Sequence, residues 1–98
     1  MATQVRVYTV NPGTLQDFVA EWNSHVVPLR RLFGFEVEHA WASPDTDQLV
    51  WVLSYDGDDW EEAERAYYES AERAAIDPDP ARHVVSPEAF FVDPVRLR

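Results

Sequence analysis

Apolar and polar residues alternate along this chain with two different periods. A period of two predicts strands, and these fall at residues 4–10, 35–43, 48–55 and 88–92. A period near 3.6 predicts helices at residues 14–33 and 59–75. The order is therefore strand, helix, strand, and then the same again, within a single domain of residues 1–98.

The first predicted helix has an apolar stripe at alternating steps of three and four residues. The stripe consists of Leu15, Phe18, Trp22, His25, Leu29 and Leu32, and Val19, Val26 and Phe33 widen it. Pro28 lies inside this stripe and lacks a backbone N–H, so we expect one lost hydrogen bond and a kink there. In the second helix the corresponding positions are Trp60, Ala63, Tyr67, Ala71 and Ala74.

The strand at residues 35–43 alternates in a way that places four side chains on one face. These are Phe35, Val37, His39 and Trp41. A hairpin loop of two or four residues pairs His39 with Val52, whereas a loop of three or five residues places His39 with Leu53, Trp51 and Tyr55. The strand at residues 48–55 is apolar on both faces, which is typical of a central strand covered on both sides.

This order of elements predicts an α+β, ferredoxin-like βαββαβ sandwich. Right-handed crossovers place both helices on the same side of a four-stranded antiparallel sheet. The other face of the sheet then remains apolar, and soluble monomers rarely expose an apolar patch of more than a few hundred Å². We therefore expect a two-fold homodimer in which the sheets of two copies pack face to face.

Composition limits the partners and the chemistry. A net charge of −10 argues against nucleic acid and against anionic membrane surfaces. No apolar run approaches 18 residues and no signal-peptide pattern is present, so we expect a cytoplasmic protein. The chain has no Cys and no Lys, which excludes thiolate and Schiff-base chemistry within it. The three His are scattered without a metal-binding spacing, and we expect no metal and no cofactor.

His25 and His39 are the candidate acid–base residues, because imidazole titrates near neutral pH and both lie on predicted apolar faces. If the face of His39 points toward the helices, the two rings converge on one pocket. Aromatic side chains are the candidate ligand-binding residues: Trp22, Trp41, Trp51, Tyr55, Tyr67 and Tyr68. Arg6 is a further candidate ligand-binding residue, which is expected to point into the dimer centre and to pair with Glu36 or Glu38.

An ordered set of residues resembles the NIPSNAP family over about 90 residues. The set is Arg6-x-Tyr8, Pro12-Gly13-x-Leu15-x-x-Phe18, Trp22, Pro28, Gly34, Trp41, Trp51-x-Leu53-x-Tyr55 and Tyr67-Tyr68. The resemblance implies the dimeric α/β-barrel superfamily, which includes cofactor-free monooxygenases, cyclases and isomerases. No catalytic set is carried over from the family to residues of this chain.

Two functions are therefore expected. The first is a cofactor-independent enzyme of monooxygenase, cyclase or isomerase type that acts on a small aromatic or polyketide-like molecule through His39 or His25. The alternative is a non-catalytic module that binds a small hydrophobic or aromatic molecule or serves in protein interaction.

Overall fold

The computed structural model describes residues 1–98, which form a four-stranded antiparallel sheet with helices on one face. The strands are β1 (Ala2–Val10), β2 (Phe35–Ser43), β3 (Gln48–Tyr55) and β4 (Val84–Phe91). Their order in the sheet is β2-β3-β1-β4, and every neighbouring pair is antiparallel. This is the predicted ferredoxin-like α+β sandwich, and that prediction is confirmed.

The first helical segment contains a π-helical turn that the sequence pattern does not predict. The segment runs through α1 (Leu15–Glu21), the π turn (Trp22–Val26) and α2 (Val27–Leu32). The N–H of Val27 donates to the carbonyl of Trp22, five residues back instead of four. The disruption expected at Pro28 thus takes the form of a wider turn immediately before it.

One extra residue in the π turn moves the buried stripe by one position. The expected positions His25 and Leu32 are exposed, whereas Val26 and Arg30 are buried. The predicted stripe is therefore wrong at His25 and Leu32, because the helix gains a residue without gaining a full turn. Leu29 still packs against the core, and Val26 is buried as the widened stripe predicts.

The second helical segment is divided into α3 (Trp60–Glu69) and α4 (Ala71–Ala74). Asp59 caps α3, where its Oδ1 accepts a hydrogen bond from the Glu62 N–H at 3.0 Å. Ser70 has an extended backbone between the two helices, and its Oγ accepts from the Arg73 N–H at 3.0 Å. A cap in mid-segment ends the single helix predicted for residues 59–75, and Ala71 and Ala74 are exposed.

A β-bulge at Glu38 changes which face of the sheet the rest of β2 presents. Val37 pairs with Leu53 and His39 pairs with Val52, so Glu38 has no partner on β3. Paired residues of antiparallel strands share a face. Phe35 and Val37 therefore face the helices, whereas His39 and Trp41 face the other side. The prediction that all four share one face is wrong.

The core lies between the sheet and the helices. Leu49, Trp51 and Leu53 of β3 are buried there, against Phe18 and Tyr67 from the helices. The opposite face, which we call the outer face, carries Val5, Val7, Val50 and Val52 at its centre, all half-buried, with Trp41 and Phe90 exposed at its two edges. No helix in the structure combines the length and apolarity needed to cross a bilayer.

Candidate functional site

Two buried arginines share one carboxylate on the helix side of the sheet. Arg6 is 6% exposed and Arg30 is 1% exposed. Arg6 donates through Nη2 to Oε1 of Glu64, and Nη1 of Arg30 lies 3.3 Å from the same oxygen. Nη2 of Arg30 donates to Oε2 of Glu64 at 3.4 Å. These three side chains carry a net charge of +1 in the interior of a chain whose total charge is −10.

Phenol oxygens also accept hydrogen bonds from the two guanidinium groups. Nη1 of Arg6 donates to the hydroxyl of Tyr8 at 3.1 Å and to that of Tyr68 at 3.2 Å. Nη2 of Arg30 donates to the Tyr68 hydroxyl at 3.1 Å, and Nε of Arg6 donates to Oε1 of Gln4 at 3.0 Å. We call Arg6, Arg30, Glu64, Tyr8 and Tyr68 the arginine cluster.

Four of the five members of the arginine cluster are positioned by the periodicity of their own element, and Arg30 by an interruption of it. Arg6 and Tyr8 are two residues apart on β1 and point to the same face. Glu64 and Tyr68 are one turn apart on α3 and share a helix face. Arg30 comes from α2, where the π turn rotates it inward.

The guanidinium of Arg30 is enclosed by aromatic rings. Its Cζ lies 3.8 Å from the ring centroid of Tyr67, 4.8 Å from that of Phe35 and 5.1 Å from that of Tyr68. The negative faces of these rings offset part of the cost of removing the cation from water.

Burial and charge together determine the protonation of the cluster. Burial disfavours the charged form of Arg6. The electrostatic interactions of Arg6 with Tyr8, Tyr68 and Glu64 outweigh this effect of burial, so the pKa of Arg6 is raised. Burial raises the pKa of Tyr8 against the opposing effect of Arg6. Burial also raises the pKa of Tyr67, against the opposing effect of the Arg30 charge. Both phenols are therefore neutral at pH 7 and retain a proton to donate.

A partly open cavity of about 80 Å³, which we call the interior cavity, adjoins the arginine cluster. Its walls are Tyr8, Phe18, Trp22, Val26, Arg30, Trp51, Tyr67, Tyr68, Arg73, Pro80, Ala81 and Val84. Ligand sites typically exceed about 300 Å³, so this cavity admits only a few heavy atoms or the head group of a larger molecule.

A larger, open cleft of about 630 Å³ lies at the other side of the cluster. It is lined by Gln4, Arg6, Asp58, Asp59, Trp60, Glu61, Glu64 and Phe91. Arg6 and Glu64 line the cleft, while Arg30, Tyr8 and Tyr68 line the interior cavity. The ion pairs of the cluster thus separate the two spaces.

The structure brings together part of the predicted set of ligand-binding residues. Trp22, Trp51, Tyr67 and Tyr68 line the interior cavity, and Arg6 lines the open cleft. Trp41 and Tyr55 line neither space. Trp41 is 58% exposed on the outer face, and Tyr55 packs against Phe35 with ring centroids 5.1 Å apart.

The two candidate histidines do not converge. His25 is exposed on the π turn in the helix layer, and His39 is exposed on the outer face, stacked on Trp41 with ring centroids 5.9 Å apart. The expectation of a shared pocket is wrong, because each residue lies at or beyond a one-residue insertion. A catalytic role for either histidine stays a prediction.

The expected partner of Arg6 is also corrected. Glu36 and Glu38 are exposed on β2, and Arg6 pairs instead with Glu64 of α3. No group of three or more His, Asp or Glu side chains is arranged to hold a metal ion.

The hydrophobic pattern does not predict Arg30 or Glu64 as site residues. A signal for Glu64 was present, since it shares a helix face with the candidate Tyr68 four residues later. The burial of Arg30 had no such signal, because a regular helix places Leu29 at the core position instead.

Comparisons with known proteins place the fold among NIPSNAP-like structures. A NIPSNAP family protein of unknown function from Agrobacterium tumefaciens superposes with a TM-score of 0.86 at 15% identity, covering 100% of this chain and 91% of that one. An uncharacterized NIPSNAP domain protein from Burkholderia xenovorans superposes with a TM-score of 0.80 at 16% identity, covering 97% and 95%. The NIPSNAP-like fold that the resemblance implies is therefore confirmed.

A putative antibiotic biosynthesis monooxygenase from Nitrosomonas europaea shares the fold more distantly. Its TM-score is 0.69 at 13% identity, and the alignment covers 98% of this chain and 100% of that one. No protein-family model matches the sequence, and no curated protein matches it either.

Proposed function

We propose that this protein binds a small molecule in the interior cavity between its sheet and its helices. The observation that supports this is the composition of the wall. Trp22, Trp51 and Tyr67 supply flat apolar surface, and the arginine cluster supplies a few converging polar groups beside it. Apolar walls with a small number of placed polar groups are typical of small-molecule sites.

A fragment screen read out by NMR tests this function. The four Trp indole N–H groups give four signals, which Trp→Phe variants assign. We expect a bound fragment to shift the signals of Trp22 and Trp51, which line the cavity, and to leave that of Trp41 on the outer face unchanged. A library of small neutral and acidic compounds, aliphatic as well as aromatic, that moves neither cavity signal would contradict the proposal.

A cofactor-independent enzyme of monooxygenase, cyclase or isomerase type is the second candidate. The shared fold with a putative antibiotic biosynthesis monooxygenase favours it. The substrate class would be a small aromatic or polyketide-like molecule. The neutral Tyr67 phenol and the indole N–H groups of Trp22 and Trp51 are donors of the kind that stabilise a developing oxyanion away from water.

Paired variants distinguish a cavity mechanism from a histidine mechanism. If turnover of an identified substrate uses the cavity donors, Tyr67→Phe lowers kcat by roughly 100-fold, the typical effect of removing one oxyanion donor. His25→Ala and His39→Ala would then leave kcat unchanged. The opposite result would assign the chemistry to the exposed histidines.

The proposal includes a homodimer formed through the outer face. Val5, Val7, Val50 and Val52 provide an apolar centre on two adjacent strands, and the family resemblance implies sheet-to-sheet pairing. A second copy of this chain carries the same apolar surface, so one two-fold contact would bury the outer faces of both copies. Sedimentation equilibrium at micromolar concentration should report about twice the 11.3 kDa chain mass, and a monomer mass would overturn the dimer.

A further inference from the structure

Several buried polar atoms around the interior cavity have no hydrogen-bond partner in the protein. They are Nε1 of Trp22, Nε1 of Trp51, Nε and Nη1 of Arg30, and the hydroxyl of Tyr67. All four residues line the same cavity. Because buried polar groups in native proteins nearly always have partners, a concentration of unpaired ones at one cavity points to a ligand that pairs them.

All of the unpaired atoms can donate a hydrogen bond. Indole and guanidinium N–H groups can only donate hydrogen bonds, and the Tyr67 phenol retains a proton to donate. Nη1 of Arg30 lies 3.3 Å from Oε1 of Glu64, close enough for attraction but without the alignment of a hydrogen bond. The cavity therefore presents donors and lacks matching acceptors.

The local charge also favours a ligand that accepts hydrogen bonds and is negatively charged. Arg6 and Arg30 share the single carboxylate of Glu64, which leaves one positive charge uncompensated beside the cavity. Arg73 also lines the cavity, and its charge is balanced by Asp79, with Nη2 and Oδ1 2.8 Å apart. A ligand that brings one negative charge would neutralise the cluster.

From donors, charge and volume together, we infer that the interior cavity binds an anionic oxygen, and that a carboxylate of a small organic acid is its simplest ligand. This inference rests on the proposed function and specifies its ligand class. A carboxylate supplies acceptor oxygens only, which complements Arg30, Trp22 and Trp51. At about 80 Å³ the cavity accommodates a molecule as small as acetate, or the carboxylate head group of a longer acid.

A titration of the wild-type protein with acetate and with acetamide tests the inference. The two compounds have the same shape, and only acetate is charged. We expect acetate to shift the indole signals of Trp22 and Trp51 saturably, and acetamide to bind at least about tenfold more weakly. Sodium chloride keeps the ionic strength equal in both titrations. Trp60 lines the open cleft and Trp41 the outer face, so their signals report binding elsewhere.

Arg30→Met removes one positive charge and two of the unpaired donors, Nε and Nη1. It should weaken acetate binding at least about tenfold, because a buried charged partner is lost. Arg65→Met is the matched control, since Arg65 is exposed on α3 and pairs only with Glu62. If Arg30→Met does not fold, the wild-type comparison of acetate with acetamide decides the question by itself.

All other outcomes contradict the inference, and each of them has a different consequence for the proposed function. Equal shifts with acetate and acetamide would show a cavity that binds small molecules without selecting charge, so the proposed function would survive alone. The same holds if neutral fragments move Trp22 and Trp51 while acetate does not. If neither acids nor fragments move these signals, the proposed function fails as well. An acetate shift confined to Trp60 would place the anion in the open cleft.

Phenylacetate distinguishes the two sources of a carboxylate. If it shifts the signals of Trp22 and Trp51 as acetate does, the cavity receives the head group of a larger acid whose ring remains outside. If only acetate binds, the ligand is a small free acid.

Discussion

At the scale of single residues, Glu64 controls the interior electrostatics. It is the only carboxylate that contacts Arg6 or Arg30, and its side chain is 16% exposed. An uncompensated buried charge is among the most costly features a fold can contain. The stability of the interior therefore depends on this one side chain more than on any exposed ion pair.

Glu64→Gln should lower the free energy of unfolding by roughly 2 to 4 kcal/mol, because it leaves two buried cations without a counterion. Urea denaturation followed by circular dichroism measures the change. Glu69→Gln, on the exposed end of the same helix, serves as the control and should alter stability by less than about 0.5 kcal/mol. Equal midpoints for the two variants would show that Glu64 is not the essential counterion.

Glu21 gives a pH-dependent prediction at the same scale. Its two carboxylate oxygens accept from Nη1 and Nη2 of Arg82 at 2.7 and 2.9 Å, and Nε2 of His83 lies 3.3 Å away. Hydrogen bonds from Arg82 above all hold the pKa of Glu21 below its ordinary value. A carboxyl whose pKa is lowered on folding stabilises the protein above its unfolded pKa, and this stabilisation disappears as pH falls through the folded pKa.

Glu21→Gln should therefore lower the melting temperature at pH 7, and the difference from wild type should shrink as the pH falls below the ordinary value of 4.5. Thermal unfolding between pH 7 and pH 3 provides the measurement. Glu36→Gln, at an exposed position on β2, is the control. A difference that stays constant across this range would rule out the ionised form of Glu21 as its cause.

At the scale of elements, two one-residue insertions determine which side chains form the site. The π turn at Trp22–Val26 rotates the following helix so that Arg30 points inward. The bulge at Glu38 reverses the faces of the rest of β2, so His39 and Trp41 point outward. Both insertions leave the elements on either side regular, which is why the architecture tolerates them.

Single-residue deletions in β2 test the role of the bulge. Removing Glu38 leaves a regular ladder with Val37 still opposite Leu53 and His39 still opposite Val52. Removing Val37 instead places Glu38 opposite Leu53, on the buried face. We expect the Val37 deletion to be less stable than the Glu38 deletion by at least about 2 kcal/mol, because it loses a buried Val and turns a carboxylate toward the core.

Chemical denaturation of the two deletion variants compares proteins of the same length. Both lack one residue of β2 and both allow regular pairing. Equal stability of the two variants would mean that Glu38 is not the inserted residue.

At the scale of the whole molecule, the sheet has one covered face and one uncovered face. The outer face has an apolar centre, with Trp41 at the β2 edge and Phe90 at the β4 edge, 58% and 49% exposed. Because the helices already cover the other side, any further burial of apolar surface by the sheet must come from outside the chain.

Val52→Glu should convert the proposed dimer into a folded monomer. Val52 is on the central strand β3 and on the outer face, so two copies would bring two carboxylates together at the dimer centre. Sedimentation velocity should show half the mass of wild type, with an unchanged circular dichroism spectrum. Glu88→Gln, near the β4 edge of the same face, is the control and should leave the mass unchanged. A Val52→Glu variant that keeps the wild-type mass would exclude pairing through this face.

Hydrophobic periodicity in the sequence was sufficient to determine the order of the strands and helical segments and their architecture, but not every boundary. The last strand begins at Val84 instead of residue 88, and the helix predicted at residues 59–75 is interrupted at Ser70. Alternation indicated that Arg6 and Tyr8 share one face of β1 and that Trp51 and Leu53 share one face of β3. It did not indicate which face the helices cover, and Arg6, expected at the dimer centre, lies on the helix side opposite Trp51. The shared faces depend on spacing within one element, so the sequence contains all the information they need.

Only the tertiary structure determined which residues form the site. A helix or strand can gain one residue at the cost of a single displaced backbone hydrogen bond, and packing against the sheet determines whether and where it does so. Neither insertion alters the local periodicity enough to be recognised. For that reason Arg30 was missed and His25 and His39 were placed in a pocket, whereas Trp22, which precedes the shift, was placed correctly in the core.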